Sequence, residues 1–225
     1  MRHVVTLYRS SVGKKVIMAV TGVVWVGYVI AHMMGNLKAF QGAERIDAYG
    51  EFLREVGVPL FGHGEVLLLA RVVLIISIGL HVLCAWQLTR MSQVARPVSY
   101  RQAPHLELSY ASRTMRWGGV MIALFVIFHL MHFTIGNIHP DFVPGGVYHN
   151  LVAGFQSWPI AIVYIVAVGA LGFHLYHGVW STFQTLGANH PTYNRYRRWV
   201  AAVIAVAVFA GFASVPAAVL AGILR

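Results

Sequence analysis

Charged residues are scarce in this sequence, and acids are the scarcest of them. Only 11% of its 225 residues are charged, with 7 Asp and Glu against 17 Lys and Arg. A water-soluble domain carries about 25% charged residues, so the low charge and the 58% of hydrophobic residues predict an integral membrane protein. The cations lie between apolar runs rather than in one patch, which argues against a nucleic-acid partner.

Cysteine is nearly absent as well. The chain contains one, Cys84, which excludes an intrachain disulfide and a cysteine-ligated iron–sulfur cluster within this chain. A small-residue cleavage site is also missing after the first apolar run, and that run is too long for the core of a signal peptide. We therefore expect the first apolar run to be a membrane span.

Five apolar runs are each long enough to cross a bilayer core of about 30 Å as a helix. The sequence therefore predicts an all-α fold, with residues 1–225 forming a single transmembrane bundle of five helices. The predicted spans are about 13–37, 64–90, 114–137, 158–186 and 198–222. A near-neutral mixture of charges predicts a short amphipathic helix at about 43–56 on the outer surface. Pro144, Gly145 and Gly146 predict a loop before the fourth span.

Lys and Arg in the connecting segments predict the orientation, because loops rich in these residues stay in the cytoplasm. One cluster precedes the first span, another lies between spans two and three, and a third lies between spans four and five. All three fall on one side, so we expect a cytoplasmic N-terminus and a C-terminus outside. The clusters are Arg2, Arg9, Lys14 and Lys15; Arg90, Arg96, Arg101, Arg113 and Arg116; and Arg195, Arg197 and Arg198.

Each of the first four spans contains a histidine: His32, His81, His129 and His174. An ionisable side chain at membrane depth is interpreted as functional by default. Their distances from the span ends place His32 and His129 in an outer layer and His81 and His174 in an inner one, roughly 10 to 15 Å apart. Two imidazoles facing each other within a bundle suit the axial positions of a b-type haem. The covalent attachment motif C-x-x-C-H is absent from the sequence.

Spacing alone leaves some choices open. His132 and His177 lie one helical turn from His129 and His174 on the same face, so either member of each couple satisfies the pattern. Arg71 lies within a span and is expected to pair with a haem propionate or a quinone oxygen. Glycines expected to let a macrocycle approach the backbone are Gly27, Gly35, Gly79, Gly136, Gly169 and Gly172. The histidines expected to be solvated are His3, His63, His105, His139, His149 and His190.

Two stretches around these histidines are distinctive. One is the run SVGKK at residues 11–15, with Thr21-Gly22 after it and Gly35-Asn36-Leu37 behind His32. The other is FHLYHGVWS at residues 173–181, which continues into QTLG at 184–187. Together they resemble the cytochrome b subunits of succinate dehydrogenases and fumarate reductases, and specifically the bacterial five-helix type that carries two haems b.

The resemblance implies a ligand set and a pairing. It favours His129 over His132 and His174 over His177 as iron ligands. It also pairs His32 with His129 near the outer surface and His81 with His174 near the cytoplasm, in agreement with the predicted depths. The cofactors it implies are two haems b and a quinone, which we expect to be menaquinone. Candidate residues for the quinone region on the outer side are Lys38, Arg54, His63 and Glu65.

The resemblance further implies a subunit of a larger enzyme. The expected complex is succinate:quinone oxidoreductase, the respiratory complex II of the tricarboxylic acid cycle, in the bacterial plasma (inner) membrane. Succinate chemistry would belong to an FAD flavoprotein, and an iron–sulfur subunit would dock on the basic segments 2–15 and 90–116. This chain would be the membrane anchor that conducts electrons and contributes the quinone-reducing site.

Two other functions fit part of the pattern. A proton-coupled transporter without a cofactor could relay protons through membrane histidines, but it predicts a colourless protein and further acids within the spans. A di-haem cytochrome b of another quinone-linked enzyme, such as a hydrogenase or the bc type, is the second. In the bc type one helix carries ligands of both layers, and no predicted span here does. The direction of catalysis is left open by the sequence.

Overall fold

The computed structural model describes residues 9–95, 110–188, 190 and 192–225, with the backbone alone for residues 110–114. Within these ranges the chain is helical or in turns, without a β-strand. Five of the described helices are long and apolar enough to cross a membrane, which confirms the predicted all-α transmembrane bundle. Among the residues named above, Arg2, His3, Arg96, Arg101 and His105 lie outside the described residues.

The described helices are five long ones and two short ones. The membrane-crossing helices are α1 (Ser11–Asn36), α3 (Glu65–Val94), α4 (Tyr110–Leu130), α6 (Trp158–Thr185) and α7 (Asn194–Leu220), and the short ones are α2 (Ala43–Glu55) and α5 (Val147–Gln156). Helix α1 continues into a 3₁₀ turn, Leu37–Gln41, and α4 into a π turn, Met131–Ile135. The Ser10 hydroxyl caps α1 by accepting from the Gly13 N–H at 2.9 Å.

The long helices pack unevenly. Helix α6 packs along α7, α4 and α1, and α1 packs along α3. Among the described residues, α3 and α4 do not pack closely against each other, nor do α1 and α4, nor α3 and α6. The bundle therefore has neighbours that face each other across a gap rather than a closed ring of touching helices.

One end of the bundle is closed by the short elements, and we call it the capped end. Helices α2 and α5, the 3₁₀ turn and the C-terminal residues meet there around a buried apolar cluster that includes Ala39, Ile46, Leu151, Phe155 and Leu224. The opposite end carries described cations at the ends of the long helices, and we call it the basic end. Its cations are Arg9, Lys14, Lys15, Arg90, Arg116, Arg195, Arg197 and Arg198.

Helix α5 replaces part of the predicted loop. Pro144, Gly145 and Gly146 do form a turn, but the residues after them are helical. The Asp47 carboxylate of α2 accepts from the Tyr148 N–H at 2.9 Å and so caps the first turn of α5. The prediction missed α5 because its cap and its buried face are supplied by residues far away in the sequence.

Candidate functional site

His32 of α1 and His129 of α4 face each other. Their ring centres are 5.9 Å apart with an angle of 80° between the planes. Tyr28 stacks on His32 with ring centres 5.4 Å apart and 12° between the planes. Phe125 lies 6.0 Å from His129, so aromatic rings line this pair on both helices.

His81 of α3 and His174 of α6 form a second pair. Their ring centres are 6.3 Å apart, with 57° between the planes. As with the first pair, the two helices that carry these rings do not pack closely. Both pairs thus bridge a gap in the bundle with side chains alone.

The separation within each pair suits a shared metal. Imidazole nitrogens bind metals at about 2 Å, so two rings on opposite sides of one metal have centres about 6 Å apart. The observed 5.9 and 6.3 Å agree with that distance. Each pair supplies only two nitrogen donors, so the remaining ligands of a metal would have to come from a bound group such as a macrocycle. The residues present therefore fit a b-type haem at each pair.

A threonine on α1 orients His81. The Thr21 hydroxyl donates its proton to the Ile17 carbonyl at 2.8 Å and lies 3.2 Å from Nδ1 of His81. Because that proton is already used, Thr21 can only accept from an Nδ1–H, which leaves the lone pair of His81 on Nε2. A hydrogen bond of this kind fixes the tautomer and the ring orientation of a metal ligand.

The pair of His81 and His174 also has glycine on either side. A Cβ at Gly22 would lie 3.6 Å from Cε1 of His81, and a Cβ at Gly119 would lie 3.8 Å from Cε1 of His174. On the same helix, Nδ1 of His174 and Nδ1 of His177 are buried with no hydrogen-bond partner among the described residues. Buried polar atoms are rarely left unpaired, so each of these two nitrogens can still form a hydrogen bond to a further group.

The four long helices that carry histidines share a ten-residue spacing. On each of them, a residue ten positions before the histidine lies in the layer of the other pair. Ten residues of helix rise about 15 Å, which matches the predicted layer separation. The couples are Gly22 and His32, Arg71 and His81, Gly119 and His129, and Tyr164 and His174. The structure places Gly22, Gly119 and Tyr164 beside the histidine rings of the other pair, and the composition of the spans does not single them out.

The two alternative histidines occupy different positions. His132 is fully buried, and its Nδ1 lies 3.0 Å from the Tyr164 hydroxyl. The same hydroxyl lies 3.4 Å from Nδ1 of His129. His177 lies near the basic end, where its ring is 5.7 Å from that of Trp180. Neither alternative faces a histidine of another membrane-crossing helix as His129 and His174 do, and the imidazole beside His132 is that of His139, with ring centres 4.8 Å apart.

Some of the expected macrocycle glycines make other contacts, whereas a Cβ at Gly27 or Gly79 would meet no atom of the described residues within 4 Å. Gly172 packs on the Ala205 carbonyl of α7, since a Cβ at Gly172 would lie 3.6 Å from that oxygen. A Cβ at Gly35 would lie 2.7 Å from the Tyr49 ring, so the absence of a side chain leaves room for this ring. Gly136 has a left-handed φ of 80° and ends the π turn. The glycines next to the histidine rings are instead Gly22 and Gly119.

The residues predicted for the quinone region lie in the short elements and at the start of α3. The Lys38 ammonium lies 5.2 Å from the centre of the Tyr49 ring, and Arg54 bonds Glu51 at 2.9 Å. Glu65 accepts from the Gly62 N–H at 3.0 Å at the start of α3, and His63 is exposed. These residues lie at the capped end, each with its own surroundings.

Arg71 is exposed on α3. It lies within electrostatic range of Tyr28, the ring that stacks on His32. Among the histidines predicted to be solvated, His139 is half-buried and its Nε2–H donates to the Asn150 carbonyl at 2.8 Å. His149 is exposed and pairs with Asp141 at 2.9 Å.

A comparison with known families identifies the chain's relatives. The family model of the succinate dehydrogenase/fumarate reductase transmembrane subunit matches residues 89–213, more than half of the chain. The match contains His129 and His174, whereas His32 and His81 lie before its first residue. No curated protein and no solved structure matches the chain significantly. The chain belongs to the family of succinate dehydrogenase/fumarate reductase transmembrane subunits.

Proposed function

We propose that the chain is the di-haem b membrane anchor of a succinate:quinone oxidoreductase and conducts electrons from an iron–sulfur subunit to a quinone. The observation that carries the proposal is the presence of two histidine pairs, with ring centres 5.9 and 6.3 Å apart, each bridging helices that do not pack closely. Family membership supports the association with the other subunits of such a complex.

Each residue pair has a defined role in this proposal. His32 and His129 hold one haem, and His81 and His174 hold the other. A bound b-type haem accepts and releases one electron at a time. Thr21 holds the ring of His81 so that Nε2 is available, and Gly22 and Gly119 leave room beside the rings of their layer. Arg71, which lies within electrostatic range of Tyr28, is our candidate to neutralise a propionate or to contact a quinone oxygen.

The two ends of the bundle suit different partners. Every Asp and Glu of the described ranges lies at the capped end or at the helix ends beside it, whereas the charged residues described at the basic end are all cations. By the positive-inside rule the basic end faces the bacterial cytoplasm, where it would bind the iron–sulfur subunit and, through it, the FAD flavoprotein. The quinone, for which menaquinone is our candidate, would bind toward the capped end, where Lys38, Arg54, His63 and Glu65 lie.

Haem content tests the proposal. The intact complex, purified in mild detergent, is expected to contain two b haems per copy of this chain by pyridine haemochrome assay and reduced-minus-oxidised spectroscopy. His32→Ala and His81→Ala are each expected to remove one haem, because each deletes one of two axial ligands. His149→Ala is the matched control, since His149 is exposed and pairs only with Asp141. A colourless native complex would contradict the proposal and favour a transporter.

A further inference from the structure

Tyr164 of α6 lies between two histidines of α4. Its hydroxyl is 3.0 Å from Nδ1 of His132 and 3.4 Å from Nδ1 of His129. Tyr164 is 6% exposed and His132 is fully buried, so water does not compete for these bonds. The three groups therefore have to share their protons among themselves.

Counting protons leaves two arrangements. A phenol has one proton to donate, and each neutral imidazole carries its proton on one nitrogen only. In the first arrangement Tyr164 donates to His132 and accepts from an Nδ1–H of His129. In the second it donates to His129 and accepts from an Nδ1–H of His132. The first leaves the lone pair of His129 on Nε2 and puts the proton of His132 on its own Nε2, which is buried without a hydrogen-bond partner among the described residues. The second puts a proton on Nε2 of His129.

The geometry favours the first arrangement. A hydroxyl donor forms short bonds, and the shorter contact of Tyr164 is the one to His132, at 3.0 Å rather than 3.4 Å. We propose that Tyr164 and His132 are positioning residues that hold His129 in its Nδ1–H tautomer and thereby present its Nε2 lone pair toward His32. This inference rests on the proposed function, since it assigns the residues that prepare one of the proposed haem ligands.

The ring of His132 is held in position by its neighbours, so that its Nδ1 faces the Tyr164 hydroxyl. Its ring stacks on Phe128 with centres 5.6 Å apart and 18° between the planes. On the other side α5 has Gly154, where a Cβ would come within 2.9 Å of Cε1 of His132. A larger residue at that position would displace the ring from Tyr164, so the missing side chain of Gly154 allows the bond to form.

The neighbouring His139 does not take part in this proton arrangement. Its Nε2–H donates to the Asn150 carbonyl at 2.8 Å, and its Nδ1 accepts from the Asp141 N–H at 3.0 Å. Both ring nitrogens are therefore occupied. Although its ring lies 4.8 Å from that of His132, the partner of Nδ1 of His132 is Tyr164.

Tyr164→Phe tests the proposal on the intact complex by potentiometric titration of the haems. A ligating imidazole that donates its second N–H becomes more basic and stabilises ferric iron, so loss of the hydroxyl is expected to raise the midpoint potential of the His32–His129 haem. The His81–His174 haem is the internal control and should not shift. Tyr176 lies on the same helix, and its hydroxyl makes no hydrogen bond to another described residue. Tyr176→Phe should therefore leave the midpoint potentials of both haems unchanged.

A pair of His132 variants distinguishes positioning from packing. In His132→Leu the phenol loses its acceptor and turns its proton to His129, so haem affinity at that site should fall by about 10- to 100-fold. Adding Tyr164→Phe removes the competing proton and should restore most of that affinity. His132→Asn, whose amide oxygen can accept in place of Nδ1, should stay close to the native protein.

The outcomes separate this inference from the proposed function. A native complex without haem overturns the proposed function before any variant is made. A native complex with two haems, but with an unchanged potential in Tyr164→Phe, overturns the tautomer assignment alone. A double variant that binds haem no better than His132→Leu also overturns it, because a purely structural role for His132 predicts no rescue.

Discussion

At the scale of single residues, the histidine pairs depend on hydrogen bonds made from neighbouring helices. Thr21 is the clearest case, since its hydroxyl connects the backbone of α1 at Ile17 to the ring of His81 on α3. Ser77, one turn before His81, donates to the Thr21 carbonyl at 3.3 Å. The ring of His81 is therefore held from α1, and Ser77 joins α3 to α1 one turn away.

Thr21→Val should weaken one haem site only. The substitution keeps the shape of the side chain but removes the acceptor for the Nδ1–H of His81, and loss of such a partner lowers metal affinity by about 10- to 100-fold. Transfer of haem to excess apomyoglobin measures this as faster loss from the His81–His174 site, with the His32–His129 site unchanged. Thr21→Ser keeps the hydroxyl and should behave as the native protein. Equal loss from both sites would contradict the role assigned to Thr21.

The sequence predicts residues of this kind only in part. The four histidines are visible because ionisable residues are rare inside apolar runs. Thr21 and Tyr164 are not visible in that way, since a threonine or tyrosine in a span has many uses. Their bonds join residues 60 and 35 positions apart, and such contacts depend on which helices become neighbours.

At the scale of elements, each histidine-bearing helix contributes to both layers through residues ten positions apart. Helix α4 presents His129 to one pair and Gly119 to the other, and α1 does the same with His32 and Gly22. In α1 and α4 the residue in the second layer is glycine, whereas in α3 it is Arg71 and in α6 it is Tyr164. The apolar periodicity of the spans does not reveal these second-layer positions, because these helices are hydrophobic on every face.

Gly119→Val should reduce haem binding at the His81–His174 site. A Cβ at this position would contact the His174 ring at 3.8 Å, and the branched side chain would extend into the space beside it. Gly118→Val is the matched control, because a Cβ there meets no atom within 4 Å and the helix propensity changes equally. Haem quantitation should give about one haem per chain for the first variant and two for the second. Two haems in both would show that the space next to His174 is not used.

At the scale of the whole molecule, the number of helices could be predicted and their arrangement could not. Five spans follow from the length of the apolar runs alone, and the described part of the chain has five helices of that kind. The open packing, in which α3 and α4 do not pack closely although consecutive in the chain, leaves no pattern in the sequence. Helix α5 was not predicted for a related reason, because the residue that caps it, Asp47 of α2, lies 101 positions before Tyr148 in the sequence.

Charge is segregated along the axis of the bundle, and this predicts its orientation in the membrane. Lys and Arg that flank short loops keep those loops in the cytoplasm, so the basic end should face inward and the capped end outward. Cys84 is completely buried, so the native chain should not react with thiol reagents. Leu60 at the capped end is 90% exposed, and Tyr193 at the basic end is 61% exposed.

Two cysteine variants therefore report the orientation directly. Leu60→Cys should react with a membrane-impermeant maleimide added to intact spheroplasts, whereas Tyr193→Cys should react only after the membrane is permeabilised. The native chain should remain unlabelled in both conditions, because its thiol is inaccessible. The reverse pattern would place the basic end outside, and an iron–sulfur subunit in the cytoplasm would then meet the acidic capped end. The direction of labelling thus tests both the topology and the surface assigned to the partner.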